Sequence, residues 1–535
     1  MSGWNFAEVW ESVADTLPDA PALMHGDRLV TWGEMDARAD GVAKWLIDLG
    51  VREQDKVAQY LYNCTEYMES VFAAFKAGLA PVNTNYRYHD DELLYLWDNA
   101  DAVAVVFGAS FTDRVAKLRD QLPKVKGWLW VDDGSGPSCP EWATSYDEVA
   151  ATRPGRQSGP WGRDGDHLLM LYTGGTTGMP KGVMWRQDDL LMMMSQQFPQ
   201  PFGEEPDYEA FRAARVAPGP VSMPACPLMH GTGCFVALIA MSQGGSVVTL
   251  TGRSFDAVEL LDAIQWRKVN LIAIVGDAFA KPILRALDAD PGHWDLSSLL
   301  AIMSSGVMWS EETKRGLLGH HEAMVLMDVF SSSEALGMGT SVSGGGLAAE
   351  TATFQLGPNA AVITEDGRIV EPGSGEIGLV GVAGRGPVGY YKDEEKSART
   401  FRVIGGQRYS IPGDFATVEA DGSIRLLGRG SVCINTGGEK VFPEEVEEAV
   451  KTFPGVRDAV VVGVPDDVWG EAITALVEAD SAAEVDDAAL VAYVKERLAP
   501  YKAPKTVLFV DTVGRAPNGK VDYKACRELA VARLA

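Results

Sequence analysis

From about Lys56 onward, short β-branched and aromatic runs alternate with stretches in which apolar residues return every third or fourth position. The runs VAQYLY (57–62), VAVVF (103–107), WLWVD (128–132), LLMLYT (168–173), SVVTL (246–250), LIAIVG (271–276), LLAIM (299–303) and MVLMDVF (324–330) read as strands. Amphipathic stretches such as 90–98 and 256–267 lie between them. Strands alternating with helices predict an α/β fold whose mostly parallel sheets are buried on both faces. Ahead of this region, Phe6, Val9, Trp10, Val13 and Leu17 fall at helical spacing and predict a surface helix docked on the core.

The connections read differently. Residues 134–164 are rich in Gly, Pro and Ser and predict a surface connection. Residues 195–222 have weak periodicity and many turn formers. They read either as a long loop near a bound ligand or as an inert insertion. Beyond 355, ITEDGRIVEPGSGEIGLV and VEADGSIRLLG carry hairpin signals, so an antiparallel β unit follows the α/β part. A glycine-dense segment at 428–438 then precedes a tail that reads helix 443–452, strands 458–464 and 472–478, helix 486–498 and strand 506–511. That tail predicts a small α+β domain, with the division at 1–428 and 429–535.

Composition narrows the function classes. The 535 residues are 46% hydrophobic and 23% charged, which excludes wholesale disorder. A net charge of −27 disfavours nucleic acid and anionic membrane surfaces, which reward clustered Lys and Arg. It does not disfavour small anions, because positive charge can be focused at a few residues. No apolar stretch is long enough to span a bilayer. The acidic N-terminus lacks the pattern of a signal peptide. Six cysteines are scattered without CxxC or Cys/His spacing, as suits a reducing cytoplasm.

The strongest local feature is Leu171-Tyr172-Thr173-Gly174-Gly175-Thr176-Thr177-Gly178-Met179-Pro180-Lys181-Gly182, which follows an apolar strand. Glycines let backbone N–H groups turn toward an anion, the threonine hydroxyls add donors, and Lys181 adds charge. Pro180 before Lys181 and Gly182 after it disfavour a Walker A loop. A Ser-hydrolase elbow, GxSxG, is absent.

This string resembles the signature loop of adenylate-forming enzymes, the superfamily of acyl-CoA synthetases, luciferase and peptide-synthetase adenylation domains. Gly174 stands where that loop usually has Ser. With GRGSVCINTGGEKVFPEEVE it is similar to actinobacterial acyl-CoA synthetases acting on fatty and steroid side-chain acids. The resemblance covers essentially the whole chain. It implies a large N-terminal domain of two mostly parallel α/β sheets plus a distorted antiparallel β unit, and a small mobile α+β C-terminal domain.

The resemblance also implies site roles. Thr173, Gly174, Gly175, Thr176, Thr177, Gly178 and Lys181 would hold phosphates. His230, in Pro-Leu-Met-His, would stand at the carboxylate pocket, with Cys234, Met308 and Trp309 lining the acyl cavity. Gly306 would pass close to the adenine and the acyl chain. Asp328, Phe330, Ser331, Ser332 and Ser333 would bind nucleotide; Glu334, with Thr177, would associate with Mg²⁺, which favours hard oxygen ligands. Asp414 would accept from both ribose hydroxyls, although Pro412 replaces the usual Thr. Arg429 would contact ATP, and Ser431 occupies the hinge position. Thr436, Gly437, Gly438 and Glu439 would line the CoA tunnel, and Lys520 would enter the active site for adenylation. The catalytic set is thus Lys520, His230 and Lys181.

The implied reaction uses ATP, Mg²⁺ and CoA in two steps, acyl-AMP formation and then thioester formation. A C-terminal domain turning about Ser431 would present Lys520 in the first step and Gly437-Gly438 in the second. The substrate is expected to be a hydrophobic carboxylic acid, steroidal or medium/long-chain fatty. Two alternatives stay open: an acyl-AMP ligase loading a carrier protein, and a non-catalytic nucleotide or acyl-CoA binding protein. A homodimer is also left open.

Overall fold

The computed structural model describes residues 3–175, 178–195, 202–436, 439–466, 469–480, 485–516 and 519–534. The chain forms two compact units, residues 1–349 with 382–410, and residues 350–381 with 411–535.

The first unit begins with helix α1 (Phe6–Thr16), capped by the Asn5 side chain accepting from Glu8 N. Phe6 and Trp10 are fully buried. The expected surface helix is therefore a core helix: Phe6 stacks on Phe75 at 5.0 Å and Trp10 meets Phe72 edge-on at 5.2 Å. Helices α2 (Trp32–Asp48) and α3 (Thr65–Lys76) pack with it. Lys76 of α3, wholly buried, pairs with Glu11 of α1 and with Asp36 and Asp40 of α2 at 2.7–2.8 Å. Arg163 joins Glu11 at 2.6 Å. The connection at 134–164 is thus anchored by a buried ion pair at its far end.

Strands β1 (Lys56–Tyr60), β2 (Ala80–Asn83), β3 (Ala102–Gly108), β4 (Gly127–Val131), β5 (Leu168–Gly175) and β6 (Gly178–Arg186) build one sheet. Its order is β6-β5-β2-β1-β3-β4, with Gly389–Tyr390 added beside β6 and Thr144–Ser145 beside β4. All these neighbours are parallel except β5 with β6 and β6 with Gly389–Tyr390. The chain reverses its direction of travel across the sheet at β1, between β2 and β3. Ligands of open α/β sheets gather outside the carboxyl ends at such a point.

The part of the second sheet that bears on the site is built from β7 (Val221–Pro224), β8 (Ser246–Thr249), β9 (Leu271–Ile274), β10 (Ala301–Ser304), β11 (Val325–Phe330) and β12 (Gly339–Ser343). Its order is β8-β7-β9-β10-β11-β12, parallel until β12 turns back against β11. Helix α4 (Gly231–Ser242) is apolar on all sides and almost wholly buried. Helix α5 (Glu311–His320) starts at Ser310, whose hydroxyl accepts from Thr313 N. Residues 195–222 are not one long loop: a helix at Tyr208–Ala214 and the start of β7 lie within them. Helix α6 (Glu394–Thr400) completes the elements used below.

In the second unit, β13 (Asp414–Val418) and β14 (Ser423–Arg429) form the expected hairpin. Beyond it, β15 (Ile434–Thr436), β16 (Val456–Asp466), β17 (Gly470–Ala479) and β18 (Thr506–Phe509) make a small sheet ordered β15-β17-β16, with Glu439–Val441 beside β15 and β18 parallel to β17, and helix α7 (Pro443–Lys451) accompanies it. Pro443 opens α7, where its missing N–H costs nothing. A final helix α8 (Tyr523–Leu534), which the periodicity did not predict, buries Cys526 and Ala530. Among the described residues, no helix is long and apolar enough to cross a membrane.

Candidate active site

The glycine-rich string covers the facing ends of two paired strands, β5 and β6. Thr173 on β5 faces Lys181 on β6 and Gly175 faces Gly178, with a register shift between Thr173 and Gly175. Thr176 and Thr177 lie outside the described residues. The β5 end of the string is fixed from a distance. Asn83, at the end of β2, accepts from Tyr172 N (2.6 Å) and donates to Tyr172 O (2.9 Å) and Met229 O (2.6 Å). One carboxamide thus ties the loop strand to the segment before His230. Lys181 Nζ meets Asp393 Oδ2 at 2.5 Å, and that hydrogen bond holds the Asp393 carboxyl below its usual range.

His230 is the N-cap residue of α4. Asn63 holds the segment before it, donating to Cys226 O (3.2 Å) and accepting from Leu228 N (2.8 Å). A side chain at Gly231 would meet Leu171 and Ser333 Oγ at 3.4 Å, so the His segment, the loop strand and the serine run converge here. Gly306 has φ +94°, a conformation that explains the glycine better than crowding does. A Cβ there would have Thr232 Oγ1 and Val275 at 3.9 Å, which puts the end of β10 beside the first turn of α4. Ser304 Oγ accepts from Gly276 N at 2.9 Å and fixes that strand end. Met308 and Cys234 are half-buried, and burial pushes the Cys234 thiol up to about 12. Trp309 departs from the expected cavity position: it is fully buried in the hydrophobic core with Phe279, Leu317 and Val275.

The serine run after β11 is a hydrogen-bonded turn. Ser331 Oγ accepts from Gly337 N (3.1 Å), and Ser332 Oγ from Glu334 N (3.2 Å) and Ala335 N (3.1 Å). Both hydroxyls therefore shape the backbone. Trp185 of β6 donates to Ser333 O at 2.8 Å, which locks the turn to the glycine-rich hairpin. Glu334 accepts from the Tyr390 hydroxyl through Oε1 (2.8 Å), and its carbonyl accepts from Ser410 Oγ (2.6 Å). Phe330 and Asp328 are buried at the end of β11.

The remaining positions lie in the second unit. Asp414 and Arg429 face each other across the β13–β14 hairpin, and Arg429 Nε donates to Asp414 Oδ1 at 3.1 Å. Ser431 lies in the single-turn helix Gly430–Val432. Thr436 is buried, Glu439 is exposed, and Gly437 and Gly438 lie outside the described residues. Lys520 is exposed on a loop whose backbone closes through Ala516 N to Lys520 O at 2.9 Å. Arg515 anchors that loop, gripping Asp458 at 2.6 and 3.0 Å and Gly519 O at 3.2 Å.

Residues 10–391 match the AMP-binding enzyme family, and residues 445–520 match the AMP-binding enzyme C-terminal domain. The chain belongs to the AMP-binding enzyme family. It is 40% identical over 536 residues to a medium/long-chain-fatty-acid–CoA/3-oxocholest-4-en-26-oate–CoA ligase of Mycobacterium tuberculosis, covering 99% of this chain and 97% of the relative. It is 38% identical to the 3-oxocholest-4-en-26-oate–CoA ligase of Rhodococcus rhodochrous, covering 98% and 95%. The fold matches the crystal structure of the anthranilate CoA ligase AuaEII in complex with anthranoyl-AMP, with a TM-score of 0.84, 20% identity and coverage of 100% and 98%.

An AMP-binding enzyme must hold a nucleotide, and the residues present fit one. Asp414 Oδ2 is buried and has no hydrogen-bond partner among the described residues, a costly state that a ribose hydroxyl would relieve. Among the described residues there is no cluster of three or more His, Cys, Asp or Glu able to hold a metal ion. Mg²⁺ is commonly held by one or two carboxylates with substrate phosphates, and Glu334 suits that role. Asn63, Asn83, Trp185, Tyr390 and Asp393 were not expected in the site. Each acts on a partner more than fifty residues away; Trp185 lies within the extended string TGGTTGMPKGVMWRQ, but nothing in that string marks its distant partner.

Proposed function

We propose that this AMP-forming acyl-CoA ligase activates a hydrophobic monocarboxylic acid, of the steroid side-chain or medium/long-chain fatty type. The observation that carries the acid class is the wall around His230 and Gly306. Residues 226–241 and 304–309 contain no Lys or Arg, so nothing there would recognise a second carboxylate. The substrates in the names of the two relatives support the same class.

The substrate carboxylate attacks the α-phosphorus of ATP, the bond to pyrophosphate breaks, and acyl-AMP forms. The CoA thiol then attacks the acyl carbonyl and AMP leaves. Both steps depend on positioning and charge neutralisation rather than on a protein nucleophile. In this reading Lys181 and the backbone of the glycine-rich hairpin hold phosphate oxygens. Asp414 accepts from the ribose, beside Arg429, and His230 stands at the acid carboxylate. Glu334 would help hold Mg²⁺, which supplies charge neutralisation on the phosphates. Lys520 bridges carboxylate and phosphate oxygens in the first step, and Thr436 and Glu439 border the path of the CoA thiol.

Residues 429–535 are the mobile domain of this reading, and the separate family match at 445–520 supports it. The scattered spacing of the six cysteines favours a cytoplasmic enzyme. The test is an AMP-release screen across fatty, steroidal and aryl acids with CoA as acceptor. Turnover of long-chain or steroidal acids is expected. Turnover of benzoates alone, or transfer to a carrier protein but not to CoA, would overturn the proposal.

A further inference from the structure

Helix α5 turns an apolar face inward, with Thr313, Leu317 and Leu318 buried. Lys314 lies on the same face, and its side chain is only 1% exposed. The helical pattern calls for an aliphatic residue there. A buried ammonium is costly unless it is paired and hydrogen-bonded, so its presence needs a partner that uses the charge. Three groups surround it. Nζ lies 3.7 Å from Asp328 Oδ2, donates to Ala349 O at 3.4 Å, and stands 5.9 Å from the centre of the Trp309 ring. Asp277 and Glu311 also bear on it electrostatically. Asp277, however, already accepts from Ser310 N and Oγ at 3.1 and 3.0 Å, and Glu311 pairs with Arg315.

Asp328 is placed where a ligand would feel it. It sits near the carboxyl end of a parallel strand, in register with Ser304 of β10, two residues before Gly306. Two residues after it, Phe330 leads into the serine turn that Trp185 ties to the glycine-rich hairpin. An ionised carboxylate has only acceptors, so at the base of a nucleotide it selects an exocyclic amine, a donor, over a carbonyl or a hydrogen.

We propose that Lys314 is a positioning residue for nucleotide recognition: it fixes Asp328 as an ionised acceptor for the amine of the adenine base. The inference rests on the reading of Asp328 as part of the nucleotide site. It gives the buried lysine a task that packing alone does not explain.

The test is direct binding of ATP and of purine riboside triphosphate, which lacks the amine, by calorimetry on the full chain. No acid substrate is needed, so failure of the proposed acid class would leave this measurement intact. The wild type is expected to prefer ATP by about tenfold or more, the scale of a hydrogen bond to a charged group. Lys314→Met should lose most of that preference by weakening ATP binding while the analogue changes less than twofold. Asp328→Asn keeps an acceptor but loses the charge and should lose part of the preference, and adding Lys314→Met to Asp328→Asn should change neither nucleotide further. If Lys314→Met does not fold alone, the double variant buries no unpaired charge and is read against Asp328→Asn. Equal weakening of both nucleotides, or a further loss in the double variant, would reduce Lys314 to a packing residue and overturn the proposal.

Discussion

Lys181 of the glycine-rich hairpin is held by Asp393, Nζ to Oδ2 2.5 Å, so the cation proposed for phosphate binding already has a carboxylate partner. The other oxygen of Asp393 accepts from Lys396 N at 3.0 Å and caps α6. Asp393→Asn keeps the cap and removes the competing charge. Both side chains are about a third exposed, so the pair is worth at most about 1 kcal/mol. The KM for ATP should therefore fall by up to about fivefold at low ionic strength. The gain should shrink as salt screens the pair. Initial rates against ATP at two salt concentrations check this; an unchanged KM at low salt would show that Asp393 does not compete with phosphate.

Lys520 stands on a loop that Arg515 and Asp458 hold in shape, so truncating it should leave the loop in place. Lys520→Ala should lower acyl-AMP formation by on the order of 10²-fold or more, the usual cost of one charge-stabilising group. Thioester formation from supplied acyl-AMP should be largely spared. Pyrophosphate release reports the first step and acyl-CoA formation the second. Equal losses in both would refute a role confined to adenylation.

The buried lysine in the helical layer makes a stability prediction. Lys76 is enclosed by Glu11, Asp36 and Asp40, which belong to two other helices. Lys76→Met keeps the bulk but leaves those carboxylates without their shared cation, with Arg163 and Arg156 as the cations left on them among the described residues. Breaking a buried ion network by removing one partner costs about 3–5 kcal/mol. The midpoint of urea unfolding, followed by tryptophan fluorescence, should fall clearly. An unchanged midpoint would mean that the two arginines carry the compensation alone.

The strands and the site strings were readable because each is local: a run of Val and Ile, or a contiguous TGGTTGMPKG, needs no knowledge of distant chain. What escaped the sequence is long-range. The periodicity of helix α1 shows one apolar face and so predicts a surface element. Its other face is buried through Glu11, a charge whose partner lies 65 residues on. Helix α8 was missed because its buried residues are Cys526 and Ala530, too small to mark a stripe. The resemblance implies a cavity position for Trp309, whereas the chain turns it into the core. Asn63 and Asn83 work by bonding main chain 163 and 146 residues away, a role without a local signature.

Glu444 makes the last prediction, a pH dependence. Its side chain fills the space that Gly428 leaves by having no Cβ, since a Cβ there would fall 2.2 Å from Oε2. Oε1 accepts from Arg429 N at 3.4 Å, and Oε2 is buried without a partner among the described residues. Burial first, and then the neighbouring Glu447 and Asp414, push the Glu444 carboxyl up to about 8. Tyr523 is a further titratable group that feels it, while Arg429 meets it through its main chain. In the unfolded chain the same group titrates near 4.5. The folded state thus holds a proton that the unfolded state gives up, and stability falls as pH rises from about 4.5 to about 8, then levels off. At 1.36 kcal/mol per unit the loss is on the order of 3–5 kcal/mol. Glu444→Gln imitates the protonated form in the same volume. It should flatten this part of the stability profile and leave the variant more stable than the wild type above pH 8. Urea midpoints at pH 5.5 and 8.5 for both proteins decide the matter. Parallel shifts in the two would place the proton elsewhere.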